Sequence, residues 1–410
     1  MKAKRLPIFT MSLMVTGNLL GAGILALPVN LGPAGMIPAA VGITVVWALM
    51  LYSAFVLADQ KELVQGDSGG LPSFFGLKLG PTAKWIAVTA DLIVLYGVLT
   101  AYLTGATTIL VGLFNIPLPQ SVICLIYFAV VAGLTSFGVD ILRKCNAAIL
   151  VTMGVTFLML IAMTESHVNA ARIAPMRWEF LPAALPVVLT AFLFHNLIPT
   201  VCRELNHDRR AIRLTMFIGS TIGLCMNLLW TVTVFCALPF IEPKDISILN
   251  AFNLDLPATI PLSRMLDKPL FTYVGLVFAV LSMTAAFMAN GQALRGFLLD
   301  LTDTCFNCRN KALIWVLSFL PPLLVAVFYP SIFLTAMNLV GGIGVCVIFG
   351  VLPSFLLLRQ GRTDATGRRA FWGGVVMLVL FGLILGFSVA QEFGLTHIHP
   401  DVEYWTRRGQ

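Results

Sequence analysis

TGNLLGAGILALP, residues 16–28, sits in the middle of an apolar run that extends from Leu6 to Val29. The run is long enough to cross a bilayer, for which about 20 apolar residues suffice. Yet Gly17, Asn18, Gly21 and Gly23 cluster near its centre. Each glycine costs about 1 kcal/mol against alanine in a helix interior. An asparagine in hydrocarbon needs partners that water would otherwise supply. Unwound backbone is tolerated in lipid only where it lines a cavity or is covered by protein. A helix broken there turns its freed N–H groups toward an anion and its freed carbonyls toward a cation. Gly21 and Gly23 carry no Cβ, so a ligand can approach the backbone closely. The competing account is a small-residue packing face, and Gly17 with Gly21 fits GxxxG spacing. Asn18 together with Gly21-Ala22-Gly23 tips the reading to a broken helix.

The rest of the chain shares this apolar character. Its 410 residues are 58% hydrophobic and 11% charged, with mean hydropathy +0.92. Soluble domains carry about 25% charged residues, so the composition points to an all-α polytopic membrane protein. Eleven runs are long enough to span, centred near Gly21, Val46, Gly97, Ala129, Thr156, Phe194, Leu224, Thr284, Leu320, Gly344 and Leu380. Every second connection is basic: 19 of the 26 Lys and Arg lie on one side, beginning with Lys2, Lys4 and Arg5, and 7 on the other. The positive-inside rule then places the N-terminus in the cytoplasm and, after an odd number of spans, the C-terminus outside. This bias accounts for the net charge of +7, and no nucleic-acid partner is implied. The first run has no small-residue cleavage site and is interrupted where a signal peptide should be continuous, so it reads as retained. Eight cysteines lie mostly in apolar runs and read as packing residues. Cys305 and Cys308 form a CxxC with no second pair, and no metal site is expected.

A broken helix calls for a counterpart, because transporters often break corresponding helices in two inverted halves. The sixth span, LPVVLTAFLFHNLIPTVCREL, is interrupted by His195-Asn196 and Pro199. Spans one and six are five apart, the offset of a five-plus-five inverted repeat with an eleventh helix left over. The expected division of a single domain over 1–410 is a first repeat near 6–165, a second near 183–359, and an extra helix near 370–393. Asp91 and Tyr96 lie on the third span, which also holds Tyr102; Asn290, Gln292 and Arg295 lie on the eighth. Polar residues on both suit spans that line a central cavity. Asp91 and Arg295 lie at similar depth, which allows either an ion pair or a proton-carrying Asp91. Tyr96, Phe192, Phe194 and Asn290 are the expected walls of an apolar pocket. The proline-rich segment Ile241–Pro269, between spans seven and eight, is expected to act as an outer lid.

TGNLLGAGILALP, FLFHNLIPTVCREL, LYGVLTAYLTGA and FLPPLLVAVFYPSIFLTAMN together resemble the hydroxy and aromatic amino acid permeases, in particular the bacterial tyrosine/tryptophan branch. The similarity runs in order from the N-terminus to about Arg359. It implies a LeuT-type fold and uptake of an aromatic amino acid, usually with protons, across the bacterial inner membrane. Carried over, Gly21, Ala22 and Gly23 would bind the substrate carboxylate through backbone N–H groups, with Asn18 beside them. The break at Phe194, His195 and Asn196 would hold the ammonium and face the side chain. Members of the family often have Gly after the sixth-span His, where this chain has Asn196.

Other classes fit less well. An intramembrane enzyme would need a metal triad, a nucleophile–base pair or facing carboxylates, and neither HExxH nor GxSxG occurs. A channel would show a filter ring rather than two broken helices in matching positions. A sodium-coupled carrier of another neutral amino acid, such as serine or threonine, is the closer alternative. A sodium site in this fold would draw on paired eighth-span hydroxyls, but Ser282 and Thr284 are two apart and do not share a helix face. The fifth span, Ala147 to Met163, has no lysine to replace sodium. No cofactor is expected, and an ion gradient, by this reading of protons, would drive transport. His195, whose unperturbed pKa of about 6.5 lies nearest neutrality, and Asp91 are the candidate proton carriers.

Overall fold

The computed structural model describes residues 5–60, 63, 70–113, 117–136, 139–169, 172, 176–359 and 365–395. Every regular element among them is helical, as a bilayer demands of backbone that has no water to bond. Nine described helices are long and apolar enough to cross a membrane, and a tenth crossing is a pair bent by 48° within the first run. That pair is α1 (Arg5–Leu19) and α2 (Ala22–Leu31), followed by α3 (Met36–Ala58), a short α4 (Leu71–Leu79) and the long α5 (Pro81–Leu113). The 17-residue apolar α6 (Gln120–Ser136) fits the remaining crossing, and α7 (Val139–Thr164) completes the first half.

The sixth run is divided between α8 (Leu181–Ala191) and α9 (Ile198–Glu204), and α10 (Arg209–Ala237) follows. Two short helices, α11 (Ile248–Asn253) and α12 (Thr259–Leu266), lie in the proline-rich segment before α13 (Pro269–Phe306) and α14 (Lys311–Phe328). The tenth run begins as α15 (Phe333–Leu339), passes through a π-helix over Val340–Val351 and ends as α16 (Leu352–Leu358); α17 (Ala365–Glu392) is last. All eleven expected centres fall within these elements or, for Gly21 and Phe194, at the two breaks. The charged C-terminal residues lie outside the described residues.

Burial separates the interior spans from the rim. The apolar windows of α5, of α8–α9 and of the tenth run are largely buried, whereas those of α7, α14 and α17 mostly face outward. Side-chain hydroxyls and small residues hold the interior together, as expected where lipid removes the hydrophobic drive between helices. Thr16 donates to the Gly219 carbonyl at 2.9 Å, tying α1 to α10. A Cβ on Gly219 would stand 2.6 Å from the Ser12 carbonyl oxygen, so only glycine permits this approach. The π-helix presses Gly341 against the Pro186 carbonyl, and Gly344 against Val94 and the Ala90 carbonyl of α5. At one end, Arg209 and Arg213 both reach Asp59 at 2.5 Å, joining α3 to α10.

Candidate functional site

The first break falls at Gly21, within the expected glycine cluster. Leu20 closes the last turn of α1 by donating to the Thr16 and Gly17 carbonyls at 3.2 and 3.3 Å. Gly21 then turns extended (φ −64°, ψ −154°) and α2 restarts at Ala22. The N–H groups at the start of α2 have no carbonyl one turn behind them, which makes this helix end a ready anion site. The glycines serve packing as well as access. A Cβ on Gly23 would lie 2.5 Å from Ala191 Cα, and one on Gly21 would lie 3.2 Å from Ala286 Cβ and 3.8 Å from the Tyr102 ring. The expectation that Gly23 keeps space for a ligand therefore needs revision: its missing Cβ admits the end of α8. Gly21 is the one that faces α13 and α5.

The second break meets the first. The chain leaves α8 at Phe192, makes a short 3-10 turn over His195–Leu197 and re-enters helix at Ile198, with Pro199 in the first turn. Proline fits there because that N–H needs no intrahelical partner. Asn18 Nδ2 donates to the Leu193 carbonyl at 2.7 Å, so the amide that looked out of place in a membrane helix satisfies backbone freed by the other break.

A polar chain runs from this junction into α13 and α5. Asn196 Nδ2 donates to Asn290 Oδ1 at 3.0 Å. Asn290 Nδ2 donates in turn to the Ala286 carbonyl at 2.9 Å and to Tyr102 Oη at 3.4 Å. Asn290 is 2% exposed. Gly21, Ala286, Asn290, Tyr102 and Asn196 thus form one cluster at the meeting of the two breaks with α5 and α13.

The remaining candidates are distributed more widely. Phe192 and Phe194 are fully buried beside the second break. The His195 ring lies 5.0 Å from the Phe194 ring and 4.5 Å from that of Phe349 in the π-helix. Its nitrogens are buried and make no hydrogen bond within normal limits, although the Met50 carbonyl is near enough to interact. It therefore packs against α3 and the tenth run, apart from the asparagine pair. Tyr96 donates to the Leu317 carbonyl of α14 at 2.7 Å, which turns it away from the cluster. Tyr102 occupies the place expected for Tyr96. The helical repeat carried the signal: residues six apart on a helix point in different directions, whereas Asp91 and Tyr102, eleven apart, share a face.

Asp91 is 4% exposed, and its Oδ1 has no hydrogen-bond partner. No hydrogen bond or ion pair joins Asp91 to Arg295, so the salt-bridge reading of this pair is not realised. Gln292 Nε2 instead donates to the Thr135 carbonyl of α6 at 2.6 Å. Ser282 Oγ donates to the Ala279 carbonyl at 2.9 Å, and Thr284 is paired with Tyr127 of α6 at 3.1 Å. Both hydroxyls are thus engaged within α13 or toward α6, not toward the first break. Among the described residues no His, Cys, Asp and Glu cluster could hold a metal ion.

The segment read as a lid is packed over α2. Ala258 N–H donates to the Leu25 carbonyl at 3.1 Å, and Ile248 covers Gly32. Asp255, at φ 58° between α11 and α12, lies near enough to the backbone N–H groups of Leu334 and Thr335 at the start of α15 to interact with them. A cavity of about 280 Å³ lies beneath, lined by Asn30, Phe180, Phe252, Asp255, Asn338 and Gln391 among others.

Comparison with known proteins agrees with this architecture. A tyrosine-specific transport system of Haemophilus influenzae is 26% identical over 385 residues, covering 92% of this chain and 94% of its own. A second tyrosine-specific system of that organism is 27% identical over 392 residues, covering 93% and 94%. A tryptophan-specific transport protein of Pseudomonas aeruginosa is 23% identical, covering 96% and 95%. These relatives are transport proteins, not enzymes. Among solved structures, MhsT in complex with L-phenylalanine superposes with a TM-score of 0.68 at 13% identity, covering 93% of this chain and 98% of its own. That likeness fixes the fold as LeuT-type. The tryptophan/tyrosine permease family model matches residues 4–391, and this chain belongs to that family of multi-pass bacterial membrane proteins.

Proposed function

We propose that the protein imports tyrosine, tryptophan or both across the bacterial inner membrane by proton symport with alternating access. The observation that carries this reading is the junction of two broken helices: Asn18 bonded to the Leu193 carbonyl, beside Gly21, Tyr102, Asn196 and Asn290. The N–H groups of Ala22 and Gly23, after Gly21, would receive the substrate carboxylate at the N-terminus of α2. Carbonyls freed near Phe194 and His195 would take the ammonium, and buried Phe192 and Phe194 suit an aromatic neighbour. The N-terminus would face the cytoplasm and the segment Ile241–Pro269 the outside, consistent with the charge bias of the connections. The two halves near 6–165 and 183–359 would rock about this junction.

Protons are favoured over sodium because Ser282 and Thr284, two apart on α13, do not share a face, and Thr284 is turned to Tyr127 of α6. Asp91 becomes the stronger proton carrier: it is buried, has an unpaired carboxylate oxygen and shares a face of α5 with Tyr102. His195 stays a candidate, but its ring is enclosed by Phe194 and Phe349. The test is uptake of labelled tyrosine and tryptophan into vesicles. Uptake should persist without sodium, rise as external pH falls and collapse with a protonophore. A strict sodium requirement would overturn the proton reading, and failure to accumulate either amino acid would overturn the substrate reading.

A further inference from the structure

The polar cluster contains an acceptor that its neighbours leave over. Both ends of the Asn290 amide are engaged: Oδ1 accepts from Asn196, and Nδ2 donates to the Ala286 carbonyl and to Tyr102 Oη. Asn196 uses its Nδ2 on Asn290, while its Oδ1 makes no hydrogen bond among the described residues. Asn290 therefore fixes the plane of the Asn196 amide and leaves a carbonyl oxygen, an acceptor, at a half-buried position beside the break. An acceptor in such a place discriminates between ligands by whether they bring a donor.

Its position relative to the anion site decides which part of a ligand it meets. Gly21 lies against Ala286, and Asn290 is four residues further along α13, a rise of about 6 Å. An amino acid whose carboxylate caps α2 would thus extend past Ala286 and bring the far edge of its side chain to the asparagine pair. Phenol carries an O–H at that edge and indole an N–H, whereas phenylalanine carries neither. We infer that Asn196, held by Asn290 as a positioning residue, is the specificity-determining residue that selects tyrosine and tryptophan over phenylalanine by accepting the ring-borne proton donor. This rests on the proposed transport of aromatic amino acids.

The physical asymmetry is large enough to matter. A site built to hydrogen-bond a substrate hydroxyl rejects the analogue lacking it far more strongly than an apolar pocket rejects a missing methylene, because the buried partner is left unpaired. Here the partly exposed setting of Asn196 makes the expected discrimination about tenfold or more.

The test begins with competition against labelled tyrosine in vesicles of the unaltered protein. Tyrosine and tryptophan should compete about tenfold or more better than 4-fluorophenylalanine, which matches the length of tyrosine but has no donor. Equal competition by 4-fluorophenylalanine would overturn the inference while leaving the transport reading in place. If neither tyrosine nor tryptophan competes, the inference falls together with the reading beneath it. In Asn196→Leu, tyrosine affinity should fall at least tenfold more than phenylalanine affinity, and Asn290→Leu should compress the same ratio. An unchanged tyrosine-to-phenylalanine ratio in an inserted, active Asn196→Leu protein would also overturn it. The ratio is the readout because a purely structural defect would lower both affinities together.

Discussion

At the scale of single residues, the quoted glycine-rich stretch announced its break because glycine and asparagine are costly at mid-membrane without a use for them. The uses could not be read from sequence. Asn18 serves the Leu193 carbonyl and Gly23 admits Ala191, and both partners are more than 160 residues away along the chain. Tyr96 is the tyrosine expected at the pocket wall, yet it bonds to α14, and it is Tyr102, on the Asp91 face of the third span, that joins the cluster. Gly23→Val should therefore abolish uptake by pushing α2 off the end of α8, and it should also destabilise the protein. Overpacking of this kind costs about 1–3 kcal/mol or more, enough for a thermal-shift assay in detergent to register. Wild-type uptake with an unchanged melting point would show that this contact is dispensable. His195, an obvious proton carrier by its ordinary titration, is instead surrounded by aromatic rings.

At the scale of elements, hydropathy located the nine long apolar helices and the bent pair among the described residues, since about 20 apolar residues leave little choice but a helix across the bilayer. It gave no sign of the π-helix over Val340–Val351, whose glycines allow contacts with α5 and α8 that depend on the assembled bundle. The candidate lid was legible as a long proline-rich segment, but a candidate latch at Asp255 was not. Burial pushes the Asp255 carboxyl from the ordinary 3.8 up to about 6, against the opposing pull of the Leu334 and Thr335 amides. The lining contributed by α2, α11, α15 and α17 is neutral: Asn30, Phe252, Leu334, Thr335, Asn338 and Gln391. A raised acid favours the docked lid when protonated. That contribution is complete below the ordinary value and is lost as pH rises through about 6. A cysteine introduced at Asn253 should accordingly be labelled more slowly at pH 5 than at pH 8, after correction for thiol ionisation. Asp255→Asn should flatten the difference, and a pH-independent wild-type rate would refute the latch.

At the scale of the whole molecule, composition and charge bias sufficed for a polytopic protein, and motif order sufficed for the family. The coupling route depends on what lies between the junction and the solvent. Asp91 is the buried acid on the same face of α5 as Tyr102. Asp91→Asn, which keeps the shape and removes the titration, should reduce proton-driven accumulation by about tenfold or more while sparing exchange of internal for external substrate. Accumulation at the wild-type level would move the proton path elsewhere. The Asp255 latch has a consequence at this scale too. If the lid faces the acidic side, the gradient that drives uptake also holds the door shut for more of the time. A shut door slows passage both ways, so uptake would climb with the gradient and then level off once the outside falls below about pH 6, a built-in ceiling on the rate.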